Sequence, residues 1–426
     1  MTDDVPTPQP ERPITFPSDV PAPVEAPGAV PSGGGEPLGG ALPSGDALHP
    51  GGGDAADGAE PPGGAQTRRR RRVSPVTVVL VVVLVGLIVA SRINLNDYAI
   101  QPGTAQPVQP FITVPADKAH PVARPVLLTD VNVTRVTALS YLYFRLQGDT
   151  QIQPIVNVIG GTPPSEFDAQ GTVEMDQAEA AALTAGLRRL GYTVTTRAVG
   201  AVVFTVWPGT PAWGKLSVGD VITAVDGTPT LSANAVTTVL HRYHSGQTVT
   251  LSVERGGKGR PVPVVVTLHS SVVDLGPGPS GRPVLVTVDL GIQPEDQVTH
   301  TYPFPASIDV TGIGGPSAGL AMTLGVIDAL SGGDLTGRTR VAATGTMDDQ
   351  GNVGDVGGVP QKTVAVERAG ATIFLVPPQE YKAAESKASG GLKVFAVSTL
   401  DQALAVIAAH GGRVPPVASP HATAGA

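Results

Sequence analysis

The chain has 426 residues, with 28 Lys and Arg against 36 Asp and Glu and a formal net charge of -8, a balance that argues against nucleic acid as the main partner. Zero cysteines exclude disulfides, thiolate catalysis and Cys-based zinc sites together, and no GxxxxGK[ST] stretch marks an ATP-binding loop. The length predicts two or three domains; with 53 Gly, 42 Pro and 4% aromatic residues, their cores must rest on Val, Ala, Leu and Ile.

Residues 1–66 are dominated by Pro, Gly, Ala and acids, with Arg12 as their one Lys or Arg. Such a segment has too little apolar surface to offset its chain entropy. It is predicted as a disordered tail, residues 1–72, ending in the block Arg68 to Arg72. The run from Val73 to Ser91 then carries no charge. Nineteen residues at about 1.5 Å each span roughly 28 Å, close to the thickness of a bilayer core. A buried core helix is disfavoured by this length and by the flanking arginines. A cleavable signal peptide would start earlier and be shorter. The reading is a single-pass transmembrane helix over 73–91. The arginine block holds the N-terminus in the cytoplasm, so everything after Arg92 is extracytoplasmic. Residues 92–124 are Pro-rich, lack periodicity and read as a tether.

From residue 125 the texture changes. "PVLLTDVNVTRV" reads as strand and "MDQAEAAALTAGLRRLGY" as helix, with apolar residues at helical spacing and Gly191 at the C-terminal cap. Residues 125–196 form this first α/β part. Residues 197–270 form a β-rich unit with dense turn signals, "PGTP", "VGD", "DGTP" and "GGKG". The stretch "PGTPAWGKLSVGDVITAVDG" resembles PDZ domains. The resemblance implies a peptide adding as a strand beside an exposed edge, its carboxylate held by a glycine-containing loop. Gly200 and Ala201 match that loop, Val202 and Val203 open the edge strand that runs to Thr205, and Val236, Val239 and Leu240 line the far wall. Core packing is the plainer reading for each of these apolar residues. Asp220 reads as a turn-stabilising acceptor. His241 and His244 share a helix face but lack a carboxylate as third ligand, so no metal is expected.

Residues 271–412 hold three pieces in order: "GIGGPSAGLAMTLGVIDAL", "TGTMDDQGNVGDVGGVPQK" and "TVAVERAGATIFLVP". Together they resemble the proteolytic domain of Lon-type proteases, and the whole resembles membrane-anchored bacterial proteins that join a PDZ domain to a Lon-like serine protease. The resemblance implies a Ser-Lys dyad: Ser317 of "GPSAG" as nucleophile, Lys362 after "VGGVPQ" as general base, and Thr344 as hydrogen-bonding neighbour of the lysine. Many relatives carry a charged pair where this chain has Pro360 and Gln361. The resemblance also implies that residues 125–191 belong to the protease fold, so that the PDZ unit is inserted within it, and that a homo-oligomer is a possible assembly.

Elementary chemistry agrees with the dyad. A serine hydroxyl is a weak nucleophile until a base accepts its proton. A lysine can do this only as the neutral amine, which desolvation and the positive end of a helix dipole favour. Pro360 suits the first turn of such a helix. Amide groups at the start of the apolar helix after Ser317 suit an oxyanion, and Gly314 and Gly315 leave room for a substrate carbonyl. Against this, a serine before an apolar helix is also the pattern of an N-cap. A Ser-His-Asp triad would have to recruit His300 and Asp309, and the adjacent Asp348 and Asp349 read as solvated turn residues.

The expectation is therefore an α+β protein: a Lon-like protease domain over 271–412 with a β-rich PDZ domain, one N-terminal transmembrane helix, a disordered N-terminal tail and a second disordered tail over 413–426. Its function is read as an ATP-independent, membrane-anchored serine endopeptidase without cofactors. Its partners are protein or peptide substrates and the membrane. The alternatives are a catalytically inactive membrane-tethered PDZ adaptor and an enzyme that cleaves only its own tether.

Overall fold

A computed structural model describes residues 74–159, 164–277, 282–310 and 312–417. The expected cytoplasmic tail with its arginine block, residues 418–426 of the expected C-terminal tail, and Thr311 lie outside the described residues. The chain divides into two units, residues 24–89 in one and residues 1–23 with 90–426 in the other.

The first unit contributes most of α1, Pro75–Arg92, 18 residues whose one charged side chain is the terminal Arg92. Its mean hydropathy is 2.4 and none of it is buried. Among the described residues it is the one helix long and apolar enough to cross a membrane.

In the second unit the elements follow as β1 (Asn94–Pro107), β2 (Leu127–Thr137), α2 (Ala138–Leu146), β3 (Gln151–Pro154) and the long α3 (Pro164–Arg189). Next come β4 (Thr195–Val206), β5 (Val221–Val225), α4 (Ala233–Leu240), β6 (Thr248–Glu254), β7 (Val262–Thr267) and β8 (Ile292–Thr301). The chain closes with α5 (Gly319–Leu330), β9 (Val341–Ala343), α6 (Val359–Arg368), β10 (Ile373–Val376), β11 (Lys393–Ala396) and α7 (Leu400–Ala409).

Two sheets organise these elements. The first runs β11-β10-β9-β2-β1-β3, so strands from before β4 and after β8 share one sheet. The segment between is inserted in that fold, as the resemblance implies. The first sheet's strands β9 (VAA) and β10 (IFLV) are apolar and buried throughout, as strands covered on both faces require. Leu128 and Leu375 face a core with α5, while their neighbours Leu127 and Phe374 face Val359 and Val366 of α6. That split is the period-two alternation of a strand.

Residues 94–107, expected as part of a tether, form β1. It pairs antiparallel with β2 and β3. Pro102 is tolerated because the ladder shifts register between Pro102 and Ala105, where a missing N–H costs no bond. Gly103 is required there, since a Cβ would lie 1.9 Å from the Asp130 carboxylate that accepts the Thr104 amide.

The second sheet runs β8-β4-β5-β6-β7 over α4. Here the sequence-based edge must be corrected. Residues 202–205 were expected on an exposed edge, yet β4 is flanked by β5 on one side and by β8 on the other, with Val202 opposite Glu295 and Val203 opposite Pro294. The edge strand is β8, about ninety positions downstream of its partner.

Candidate active site

The serine corner is built by conformation before chemistry. Gly315 turns the chain at φ 88 and ψ 154, and Pro316 opens a single 3-10 turn, Pro316–Ala318, that leads into α5. Ser317 is not a helix cap: the residue in that position is Ala318, and no side chain caps α5. Its carbonyl accepts the Gly345 amide at 2.9 Å, and Leu320 returns a bond to the Gly345 carbonyl at 3.0 Å. This close approach of α5 needs Gly319, where a Cβ would meet the Met347 amide nitrogen at 2.7 Å.

The lysine corner is a second glycine-to-helix transition. Gly358 adopts the left-handed conformation at φ 64, Pro360 follows in the first turn, and Lys362 lies one turn into α6 with its amide on the Gly358 carbonyl at 2.9 Å. The side chain is fully buried. Its Nζ donates to Thr344 Oγ1 at 3.3 Å, and Thr344 Oγ1 donates to the Ser317 carbonyl at 3.2 Å. Thr344 is itself fixed by its amide on the Leu375 carbonyl at 3.0 Å. A strand end of the first sheet thus joins the lysine of α6 to the residue that carries the serine hydroxyl, in a site with almost no exposed surface.

The long helix α3 holds the glycine loop from behind. The Gly171 carbonyl accepts the Gly315 amide at 3.1 Å, and Gly314 stands against Gly171 in ordinary contact. Further along, Glu179 Oε1 accepts the Val310 amide at 2.6 Å. Burial pushes the Glu179 carboxyl up to about 7, with the Val310 bond opposing and nearby Asp176 and Asp309 adding to the rise. The same helix grips the second sheet: Gln170 donates to the Phe204 carbonyl at 2.9 Å and to Thr205 Oγ1 at 2.7 Å, and Glu166 accepts the Val206 amide. Sequence reasoning missed both Gly171 and Glu179. One signal for the latter was legible: an acid between Met175 and Leu183, on the stripe of α3 that is otherwise buried and apolar.

The remaining expectations sort cleanly. His300 faces Asp349 at 3.5 Å and stacks on Tyr302, so it is oriented by the wrong acid for a triad with Asp309. Asp349 is half-buried in a pair with Arg188 rather than solvated, while Asp348 caps its own turn by accepting the Gln350 and Asn352 amides. Asp220 is a turn acceptor, receiving Ser217 N, Gly256 N and Arg255. Among the described residues no group of three or more His, Asp or Glu is placed to hold a metal ion. In the second sheet, Ala201, Val203, Val236, Val239 and Leu240 all belong to the sheet–helix core, and Val202 is buried. Gly200 is needed for packing, because a Cβ there would meet Val221 at 2.7 Å and the Ile222 carbonyl at 2.8 Å.

A family model described as PDZ domain matches residues 188–266, and one described as Lon protease (S16) C-terminal proteolytic domain matches residues 308–409. The chain carries a PDZ domain and a Lon-type proteolytic domain. Ser317, Thr344 and Lys362 all fall inside the second match, which places the domain with serine peptidases at the level of family. A Lon protease of Haemophilus influenzae is 36% identical over 93 residues, 21% of this chain and 11% of that protein. Lon protease 2 of Bacillus subtilis is 34% identical over 115 residues, 27% of this chain and 20% of that one. The chain thus spans a fifth or less of the length of these two relatives. Among solved structures, the PDZ domain of an SdrC-like protein from Listeria innocua is similar at 25% identity, covering 22% of this chain and 92% of that one with a TM-score of 0.17.

Proposed function

We propose that the chain is a membrane-anchored, ATP-independent serine endopeptidase in which Ser317 is the nucleophile and Lys362 the general base. The observation that carries this reading is the buried relay from Lys362 Nζ through Thr344 Oγ1 to the Ser317 carbonyl. Ser317 Oγ attacks the scissile carbonyl while its proton passes to the Lys362 amine. Backbone amides at the entry to α5 receive the developing oxyanion. The lysine returns the proton to the leaving amine, and the acyl-enzyme is released by water with Lys362 as base again. Thr344 aims the amine and fixes the serine backbone in the same act.

The peptide-capture edge in this reading is β8, not β4. Its outer side is the open end of the second sheet and lies beside α4, whose Ala233 amide is held by Asp296 of β8 at 2.8 Å. An extended segment adding there would gain backbone hydrogen bonds without displacing a native strand. After the strand ends at Thr301 the chain runs on through residues 302–310 toward Gly314 and Gly315, so capture and cleavage lie on neighbouring stretches of one chain. The arginine block and α1 support an anchored protein with its N-terminus in the cytoplasm and its PDZ and protease domains outside.

The full chain, purified in detergent and given an unstructured peptide, tests the reading. Cleavage should vanish in Ser317→Ala and in Lys362→Met, and a serine-directed phosphonate should label the unaltered chain on Ser317 alone. An unaltered chain that neither cleaves nor labels would instead support the adaptor reading.

A further inference from the structure

The nine-residue helix α2, ALSYLYFRL, is turned the wrong way round for a water-soluble domain. Its inward face is anchored by Phe144, buried with Ala99 and Val136. On the other side Leu139, Leu142, Tyr143 and Leu146 fall at i, i+3, i+4 and i+7, the spacing of a single helical stripe. That stripe is exposed: 41%, 67%, 59% and 80% of the four residues' surfaces face solvent. Tyr141 lies beside it, with the Arg145 guanidinium 5.9 Å from its ring centre. A contiguous apolar face of this kind marks a binding surface.

Its attachment says what binds. The Ala138 amide at the start of α2 donates to the Ile93 carbonyl at 2.9 Å, and Asn94 pairs with Thr137. Ile93 is the residue that follows Arg92, where α1 ends. A capping box between Thr137 and Ser140 fixes the direction in which α2 leaves this point. The exposed stripe is therefore stapled to the first residue beyond the membrane-spanning helix. Leucines, two tyrosines and an arginine are the composition of a helix lying in the boundary between headgroups and acyl chains, with tyrosine at headgroup level and the cation toward phosphate.

We propose that α2 is a second membrane contact, lying in the outer bilayer interface and seating the domain that carries the PDZ and protease parts against the lipid surface. The partner is the lipid bilayer that receives α1, so this inference rests on the anchored reading. It gives α2 a role in position rather than chemistry: a domain held at two neighbouring points cannot swing freely about the end of its anchor.

The absence of cysteine gives a clean background for the test. Single Leu142→Cys, Leu84→Cys and Lys382→Cys variants of the full chain are spin-labelled and reconstituted in vesicles of phosphatidylcholine and phosphatidylglycerol. Accessibility to oxygen and to a water-soluble nickel chelate is then read by power saturation. Leu84 in α1 reports on the anchor, and Lys382 on the aqueous phase. The expected result is oxygen accessibility several-fold above nickel accessibility at Leu142, less extreme than at Leu84, with the reverse at Lys382. A Leu142 signal matching Lys382 overturns the proposal while leaving the anchor intact. Shielding of Leu142 from both reagents overturns it in favour of a second protein copy on that face. Nickel accessibility at Leu84 removes the anchored reading and this inference together.

Discussion

The serine–lysine corner and the β8 edge are opposites built from the same backbone. At the corner, Lys362 and Thr344 have lost all contact with water, and two glycine-led turns bring two helices onto one strand end. At the edge, every residue of β8 after Ile292 is half-buried or exposed, and among the described residues one side of its ladder is unpaired. The contrast teaches where each task has to sit. Moving a proton between a hydroxyl and an amine needs groups that cannot drift. Receiving a foreign strand needs backbone groups that no native strand occupies. The long helix α3 holds the corner through Gly171 and Glu179, and through Gln170 it holds β4, the strand against which β8 pairs.

The sharpest way to break this contrast is at the corner. Ser317→Ala and Lys362→Met should each lower kcat/KM on an unstructured peptide by at least about 10³-fold, read by steady-state kinetics, with thermal unfolding of Ser317→Ala little changed. Residual activity within tenfold would mean that the buried relay is architecture alone. Thr344→Val keeps the shape and removes both hydrogen bonds of the hydroxyl. It should lower kcat by about 10- to 100-fold with KM nearly constant; an unchanged kcat would remove Thr344 from the relay.

The edge is tested by amide exchange. A saturating peptide on the Ser317→Ala protein should slow exchange within residues 292–301 by about tenfold, and leave residues 199–206, already paired on both sides, as they were. Slowing in β4 instead would return the capture edge to where the sequence alone put it.

The smallest effect concerns Glu179, which lies between the two regions. Its carboxyl is raised above the ordinary 4.5 to about 7, so the folded protein holds a proton there that the unfolded chain has released. The stability this contributes is complete below the unfolded value and is lost as pH rises through about 7. Glu179→Gln keeps an acceptor for the Val310 amide and removes the titration. The melting temperature should then fall less between about pH 5 and pH 8 than in the unaltered chain, with activity altered only a few-fold. An identical slope in the two proteins would show that another group sets it.

Much of the corner was legible because local chain grammar writes it: glycine before serine, glycine and proline before lysine, then apolar helices that must be buried. Helix α1 was legible for the same reason, as one uncharged run. The edge was not. Nothing in "GIQPEDQVTHT" carries the β-branched alternation of a strand, and its partner lies far upstream, so only the folded register reveals the pair. Residues 94–107 hid in a similar way, since prolines that suggest a tether fit a strand whose ladder shifts beside them. Glu179 wrote a faint sign, one acid on an apolar stripe, that means little until Val310 is seen against it.

One pairing in the second sheet reaches beyond the present molecule. Thr195, where β4 begins, stands opposite Thr301, where β8 ends, and antiparallel partners lie only about 5 Å apart. The PDZ segment therefore leaves and rejoins its host through a two-stranded stem. A short hairpin would close that stem without moving the host, and a different domain can be grafted onto it. The Ser317–Lys362 corner and the inserted PDZ segment thus belong to different sheets joined by one stem, so ancestry and engineering alike can exchange the second while inheriting the first.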